Sequence, residues 1–165
     1  MTELSPFGVK RLMRELALLH ESAEQHNPHQ IKIIPGRIQN NVNPMYVKII
    51  FPETDDTYPN LEMVFSVKYP NDYPLSPPEL KAVTKNPRFH IGSICTTATR
   101  FHQTEWSASW SLEGWILATV SIMKDPDEKG IGYDKGIQKF TVQDARRSKE
   151  AVQTWTDTSQ CIFDL

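Results

Sequence analysis

The chain predicts an α+β fold: an N-terminal helix, a four-stranded antiparallel meander sheet, a central helix across that sheet, and C-terminal helices. Three observations carry this. Apolar residues recur at helical spacing from Val9 to Leu19; β-branched and aromatic segments separated by proline-bearing turns fill positions 31–83; helical periodicity returns after Ser111.

Ser5-Pro6 opens the first helix, with a side-chain oxygen at the N-cap and a preset φ at the first helical position. Val9, Leu12, Met13, Leu16 and Leu19 form its expected apolar face, and Lys10, Arg11 and Arg14 sit off it, as on a solvated surface. Ile31, Ile33 and Ile34 suggest a first strand ended by Pro35-Gly36, and Met45–Phe51 a second. The acidic segment Pro52–Asn60 reads as a turn or hairpin loop. Leu61, Met63, Phe65 and Val67 alternate as a third strand, and Leu80–Val83 is a fourth. Between these last two, Tyr69 to Pro78 holds four prolines, which rules out helix and central strand and predicts a rigid loop. Ser111 caps the central helix, with Leu112, Trp115, Ile116, Val120 and Met123 inward and Asp125-Pro126 at its end. Thr141 and Asp144 approximate a capping box for a last helix in which Val142, Ala145, Val152 and Trp155 are helically spaced.

The bulk numbers fit one domain over 1–165. Charged residues make up 23% and hydrophobic ones 39%, and a net charge of −2 leaves no electrostatic footprint for nucleic acid. Cys95 and Cys161 are a poor disulfide framework and suit a reducing compartment. The longest apolar run, Trp115–Val120, is far short of a membrane span, and the N-terminus lacks signal or transit character, so cytosol or nucleus is expected.

The chemistry concentrates between Asn86 and Trp110. A lone cysteine is commonly a buried small hydrophobe, but Cys95 lies between a Gly-Ser turn and a run of threonines, outside any apolar repeat. No cation adjoins it to depress its pKa, and a thiol that only receives and passes on an activated acyl group needs none. His90 and His102 flank it at −5 and +7, yet a protease nucleophile favours a helix N-terminus, which is not expected here. These three side chains lack paired metal-ligand spacing, so no metal is expected; no Gly-rich phosphate loop is present. Asn86 before Pro87 is either a turn former or, beside a thioester, a donor to the oxyanion of a tetrahedral intermediate.

In combination, Tyr73-Pro74-Leu75-Ser76-Pro77-Pro78, Gly92-Ser93-Ile94-Cys95 and Trp106-Ser107 resemble the ubiquitin-conjugating enzyme family over most of the chain. Three departures stand out. The usual His-Pro-Asn tripeptide is replaced by Thr84-Lys85-Asn86-Pro87-Arg88-Phe89, an insertion carries Phe101-His102, and Pro59-Asn60 stands where a Gly-Gly hairpin is expected. The first two resemble the non-canonical branch associated with endoplasmic-reticulum protein degradation. Members of that branch typically end in a membrane anchor, whereas here Thr156–Leu165 is polar and short.

The resemblance implies that Cys95 carries the ubiquitin thioester and that Asn86 matches the tripeptide asparagine. It also implies that Lys10, Arg11 and Arg14 meet the activating enzyme and that Leu75 and Ala108 meet ligases, although Ala108-Ser109 stand where relatives often have Pro-Ala. An acidic residue after the central helix, Asp127 or Glu128, would orient the incoming lysine. The partners implied are ubiquitin, the activating enzyme, a ligase and a substrate protein. No cofactor is implied, since ATP is consumed by the activating enzyme. A catalytically inactive ubiquitin-binding relative and a conjugating enzyme for another ubiquitin-like modifier are the alternatives.

Overall fold

A computed structural model of the chain describes residues 3–22, 29–94, 105–125 and 139–163. Among them are helices α1 (Pro6–Ser22), α2 (Leu112–Met123) and α3 (Val142–Ser159), and strands β1 (Lys32–Ile38), β2 (Asn41–Ile50), β3 (Glu62–Lys68), β4 (Glu79–Ala82), β5 (Gly92–Ser93) and β6 (Cys161–Phe163). The strands form one sheet in the order β5-β4-β3-β2-β1-β6, every pairing antiparallel.

The α+β class and the four-strand meander appear as expected, but the sheet has six strands rather than four. The two additions, β5 and β6, span only two and three residues, too short to show an alternating pattern, and exist through pairing with β4 and β1. Instead of C-terminal helices, one helix is described, followed by β6. Nor does Pro35-Gly36 end the first strand. Pro35 sits opposite Val47 in the middle of β1, where only β2 pairs with the strand, because β6 joins it from Gly36 to Ile38. The donor that proline lacks is therefore compatible with the edge. β2 starts four residues earlier than Met45, at Asn41, directly after a turn in which Gln39 adopts φ 56°.

Alternation along the strands divides the packing between two faces. Ile33, Met45, Val47, Ile49, Met63, Phe65 and Val67 point into the main core, where they meet Leu12 and Leu19 of α1 and Leu112, Trp115, Ile116, Val120 and Met123 of α2. The positions between them, Tyr46, Val64 and Ser66, face the other way and lie under α3. There Tyr46 and Trp155 stack with ring centroids 5.0 Å apart, and the Ser148 hydroxyl accepts from the Glu62 N–H at 3.1 Å. The inward residues expected of α2 are all buried. For α3, Ala145 and Val152 are buried as expected, Trp155 is half-buried, and Val142 is exposed because it is the first residue after the Thr141 cap.

On α1 the expected face is rotated. Leu12 and Leu19 are buried, but Val9 and Met13 are exposed, and the positions that complete the buried stripe are Gly8 and Glu15. Gly8 is there because a Cβ would lie 2.9 Å from the Tyr73 carbonyl oxygen, so only glycine lets the helix approach the proline-rich loop this closely.

Candidate active site

β4 ends because its neighbour's backbone finds a side chain instead of a strand. Thr84 Oγ1 accepts from the Val64 N–H at 2.9 Å, and the chain turns away. Asn86 then organises the turn. Its carboxamide donates to the Thr84 carbonyl at 3.0 Å and accepts from the backbone N–H groups of Arg88, at 3.0 Å, and Phe89, at 2.7 Å. The side chain is the turn former that Asn-Pro predicts, and two of its three bonds use the carbonyl oxygen, so one amide hydrogen is not engaged by them. Phe89 packs its ring against Phe65 with centroids 6.1 Å apart, and the Ile94 N–H bonds to the Leu80 carbonyl at 3.0 Å. On its other side the turn borders a groove of about 500 Å³, walled by Lys85, Asn86 and Pro87 and by Phe140, Arg147 and Ala151 at and within α3.

Cys95 follows Ile94 in sequence and lies outside the described residues, as do His102, Asp127 and Glu128. His90, which is described, is exposed. Among the described residues, no cluster of His, Cys, Asp or Glu is suited to hold a metal ion.

The segments expected to meet partners are tied to one another. The Ser5 N–H bonds to the Asn71 carbonyl at 3.2 Å, and the Trp106 indole donates to the Pro74 carbonyl at 2.8 Å. Tyr69, Tyr73, Trp106 and Trp110 form a run of ring contacts behind this surface, and the Tyr73–Pro74 bond is cis. Burial, chiefly, pushes the Tyr73 hydroxyl up to about 12, so it stays neutral. Leu75 stands out from this base at 74% exposure, Ala108 is half-buried, and Lys10 and Arg14 are exposed.

Arg11 departs from the expected solvated surface. Its guanidinium bonds Glu15 Oε1 at 2.7 Å and the Trp110 carbonyl at 3.0 Å. Glu15, 5% exposed, accepts from the Leu112 N–H at 3.0 Å through its other oxygen. A carboxylate thus caps the first turn of α2, where the helix dipole favours negative charge, and Arg11 balances it. The signal missed in the sequence is the spacing of Arg11 and Glu15, an i, i+4 pair in which the carboxylate shares a helix stripe with Leu12 and Leu19.

The far end of α2 is held by a second set of polar contacts. The Tyr58 hydroxyl donates to the Met123 carbonyl at 3.0 Å, Arg88 Nη2 to the Asp125 carbonyl at 2.9 Å, and Lys124 pairs with Asp55 at 2.5 Å. Asp55 also accepts from the Thr57 and Tyr58 N–H groups. Burial works against its charge, but the Lys124 hydrogen bond and these two donors hold its carboxyl below the usual range.

Known proteins are similar to this chain in sequence and in fold. Ubiquitin-conjugating enzyme E2 6 of Eremothecium gossypii is 29% identical over 86% of the chain, and ubiquitin-conjugating enzyme E2 J1 of Homo sapiens is 27% identical over 76%. The chain spans 55% and 37% of the lengths of these two relatives. Among solved structures, human ubiquitin-conjugating enzyme E2 G1 superposes with a TM-score of 0.55 at 25% identity, covering 75% of this chain and all of that one. A Toxoplasma gondii ubiquitin-conjugating domain shares the fold with a TM-score of 0.56 over 92% of this chain and 94% of its own, at 19% identity. The ubiquitin-conjugating enzyme family model matches residues 11–156, from the first helix to within the last, and the chain therefore belongs to that family.

Proposed function

We propose that this domain accepts ubiquitin as a thioester on Cys95 from an activating enzyme and passes it to a substrate lysine, usually with a ligase. The observation that carries this reading is the family match over residues 11–156, which includes both Cys95 and the Asn86 turn. A lysine with its ordinary pKa of about 10.4 is mostly protonated at neutral pH, so a partly desolvated site must favour the neutral amine, while a nearby carboxylate orients it and takes up its proton. Asp127 or Glu128 would supply that carboxylate. The amine nitrogen attacks the thioester carbon, a donor such as the Asn86 amide or a backbone N–H steadies the oxyanion, and the carbon–sulfur bond breaks. Sulfur leaves as thiolate, and the amine's proton passes to the Asp127 or Glu128 carboxylate or to water. No cofactor of the domain's own takes part, since ATP is spent upstream in making the thioester.

In the same reading, Lys10 and Arg14 meet the activating enzyme while Leu75 and Ala108 meet ligases. Arg11 contributes to both surfaces through its bond to the Trp110 carbonyl. The Asn86-Pro87-Arg88-Phe89 segment and the relatives named E2 6 and E2 J1 support assignment to the non-canonical branch. Cytoplasm or nucleus is proposed as its location on the short apolar runs and the signal-free N-terminus, and the branch assignment adds peripheral association with the endoplasmic reticulum.

The test is incubation with ATP, ubiquitin-activating enzyme and ubiquitin, followed by gels with and without reductant. A reductant-sensitive adduct is expected that disappears in Cys95→Ala and becomes reductant-resistant in Cys95→Ser. Folded protein that forms no adduct beside a working control would sink the proposal, and an adduct only with another ubiquitin-like protein would reassign the modifier. Asn86→Ala is expected to load ubiquitin yet discharge it to lysine slowly; unchanged discharge removes the oxyanion role.

A further inference from the structure

Among the described residues, Arg88 is the largest charged side chain with no exposed surface, at 0%. A buried cation is costly unless its donors are used, so its position needs a reason. Its two ends supply one. The backbone N–H bonds Asn86 Oδ1 at 3.0 Å, while the guanidinium, through Nη2, bonds the Asp125 carbonyl at 2.9 Å. Asp125 is the second residue after α2, so the guanidinium also sits at the negative end of that helix dipole. One residue thereby joins the carboxamide of the Asn86 turn to the point where the chain leaves α2 toward Asp127 and Glu128.

We infer that Arg88 is a positioning residue for acyl transfer, holding the Asn86 carboxamide in fixed register with the exit of α2. This rests on the proposed function, in which Asn86 and an acid beyond α2 serve the attack on the thioester. Arginine suits the task because its guanidinium stays charged at any physiological pH and its planar fork fixes direction as well as distance. The other contacts at this end, Tyr58 to Met123 and Lys124 to Asp55, steady the helix terminus but leave the Asn86 turn untouched. Arg88 alone among these residues bonds both.

The experiment separates loading of Cys95 from single-turnover discharge to free lysine in Arg88→Met, Arg88→Lys, Asn86→Ala and the Arg88→Met/Asn86→Ala double variant. Discharge by Arg88→Met is expected to slow about tenfold or more, while loading falls much less, because loss of register penalises the step that needs aligned groups. Arg88→Lys, which keeps the charge, restores part of the rate. The double variant is expected to be no slower than the more impaired single variant, since both substitutions remove one contribution. A general structural role would instead lower loading and discharge together and give slowdowns that multiply. Either that pattern or wild-type discharge by Arg88→Met overturns the inference. Should neither Arg88 variant fold, hydrogen exchange on the wild-type protein decides. Arg88 and Phe89 amides protected to the level of the last turn of α2 support the clamp, and unprotected amides overturn it. A wild type that loads and discharges beside an unaffected Arg88→Met removes this inference and leaves the proposed function standing. A wild type that never loads removes the proposed function itself.

Discussion

The two faces of the sheet are built on different principles. Toward α1 and α2 the strands present long apolar side chains, and Trp115, Ile49, Met63 and Phe65 are at most 1% exposed. Under α3 the same strands present Tyr46, Lys48, Val64 and Ser66, and the helix answers with small residues, Ala145 and Ser148, beside Val152. Aromatic and polar contacts stand in for apolar bulk on that side: Tyr46 against Trp155, Lys48 over the Phe163 ring at 4.6 Å, and Ser148 bonded to the Glu62 N–H. The first face is expected to carry the global stability, because apolar area dominates folding. The second is a layer whose removal the first should survive. That difference is what substitutions on the two sides test.

The largest effect is expected at Trp115, which fills the first face from the middle of α2. Trp115→Ala should cost about 4 kcal/mol and come close to unfolding a domain of ordinary stability, as read by denaturant titration. A loss under about 1 kcal/mol would mean that this face does not dominate.

Asp55 comes next, because it fixes the loop of residues 52–60 to the end of α2. Asp55→Asn weakens the bond to Lys124, and about 2 kcal/mol is expected near neutral pH. The folded pKa of Asp55 is below its unfolded value, so its contribution is complete above about pH 4, the ordinary carboxylate range, and is lost as pH falls through the folded pKa. Wild type and variant should therefore differ in thermal midpoint at neutral pH and converge in acid. A difference that persists undiminished at low pH would show that the aspartate acts through shape rather than charge.

How far the sequence revealed these two faces follows from the same contrast. The first face was legible because Leu61, Met63, Phe65 and Val67 alternate cleanly and the apolar positions of α2 need no partner to be recognised. The second was not. Gly36, Ile38, Cys161 and Phe163 become neighbours only when the last residues return to pair with β1, a contact between positions more than 120 apart that no local pattern announces. In the candidate site, Asn86 was legible as a turn residue because its bonds reach only two or three residues. Arg88 and Glu15 were not, because their backbone partners, the Asp125 carbonyl just past the end of α2 and the Leu112 amide at its start, carry no side-chain signature.

Gly36 gives the sharpest test of the second face. A Cβ there would fall 2.5 Å from the Phe163 ring and 3.0 Å from the Ile162 carbonyl, so β6 must shift or leave. Gly36→Ala is expected to cost about 1–2 kcal/mol, with hydrogen-exchange protection lost at β6 and kept in β2 and β3. Loss spreading to β3 would mean that the second face holds the first in place.

The smallest effect is expected at Ser148, whose hydroxyl bonds α3 to the backbone of β3. In Ser148→Ala the Glu62 N–H loses its acceptor while the methyl group keeps most of the packing, so about 1 kcal/mol should be lost. Glu62 lies at the start of β3, where its residue is only half-buried and water can replace the hydroxyl more readily than it can fill the space left by Trp115. The comparison turns on that substitution of water for protein. If Ser148→Ala costs as much as Trp115→Ala, the layer under α3 is as dry as the main core, and the two faces share the stability of the domain equally.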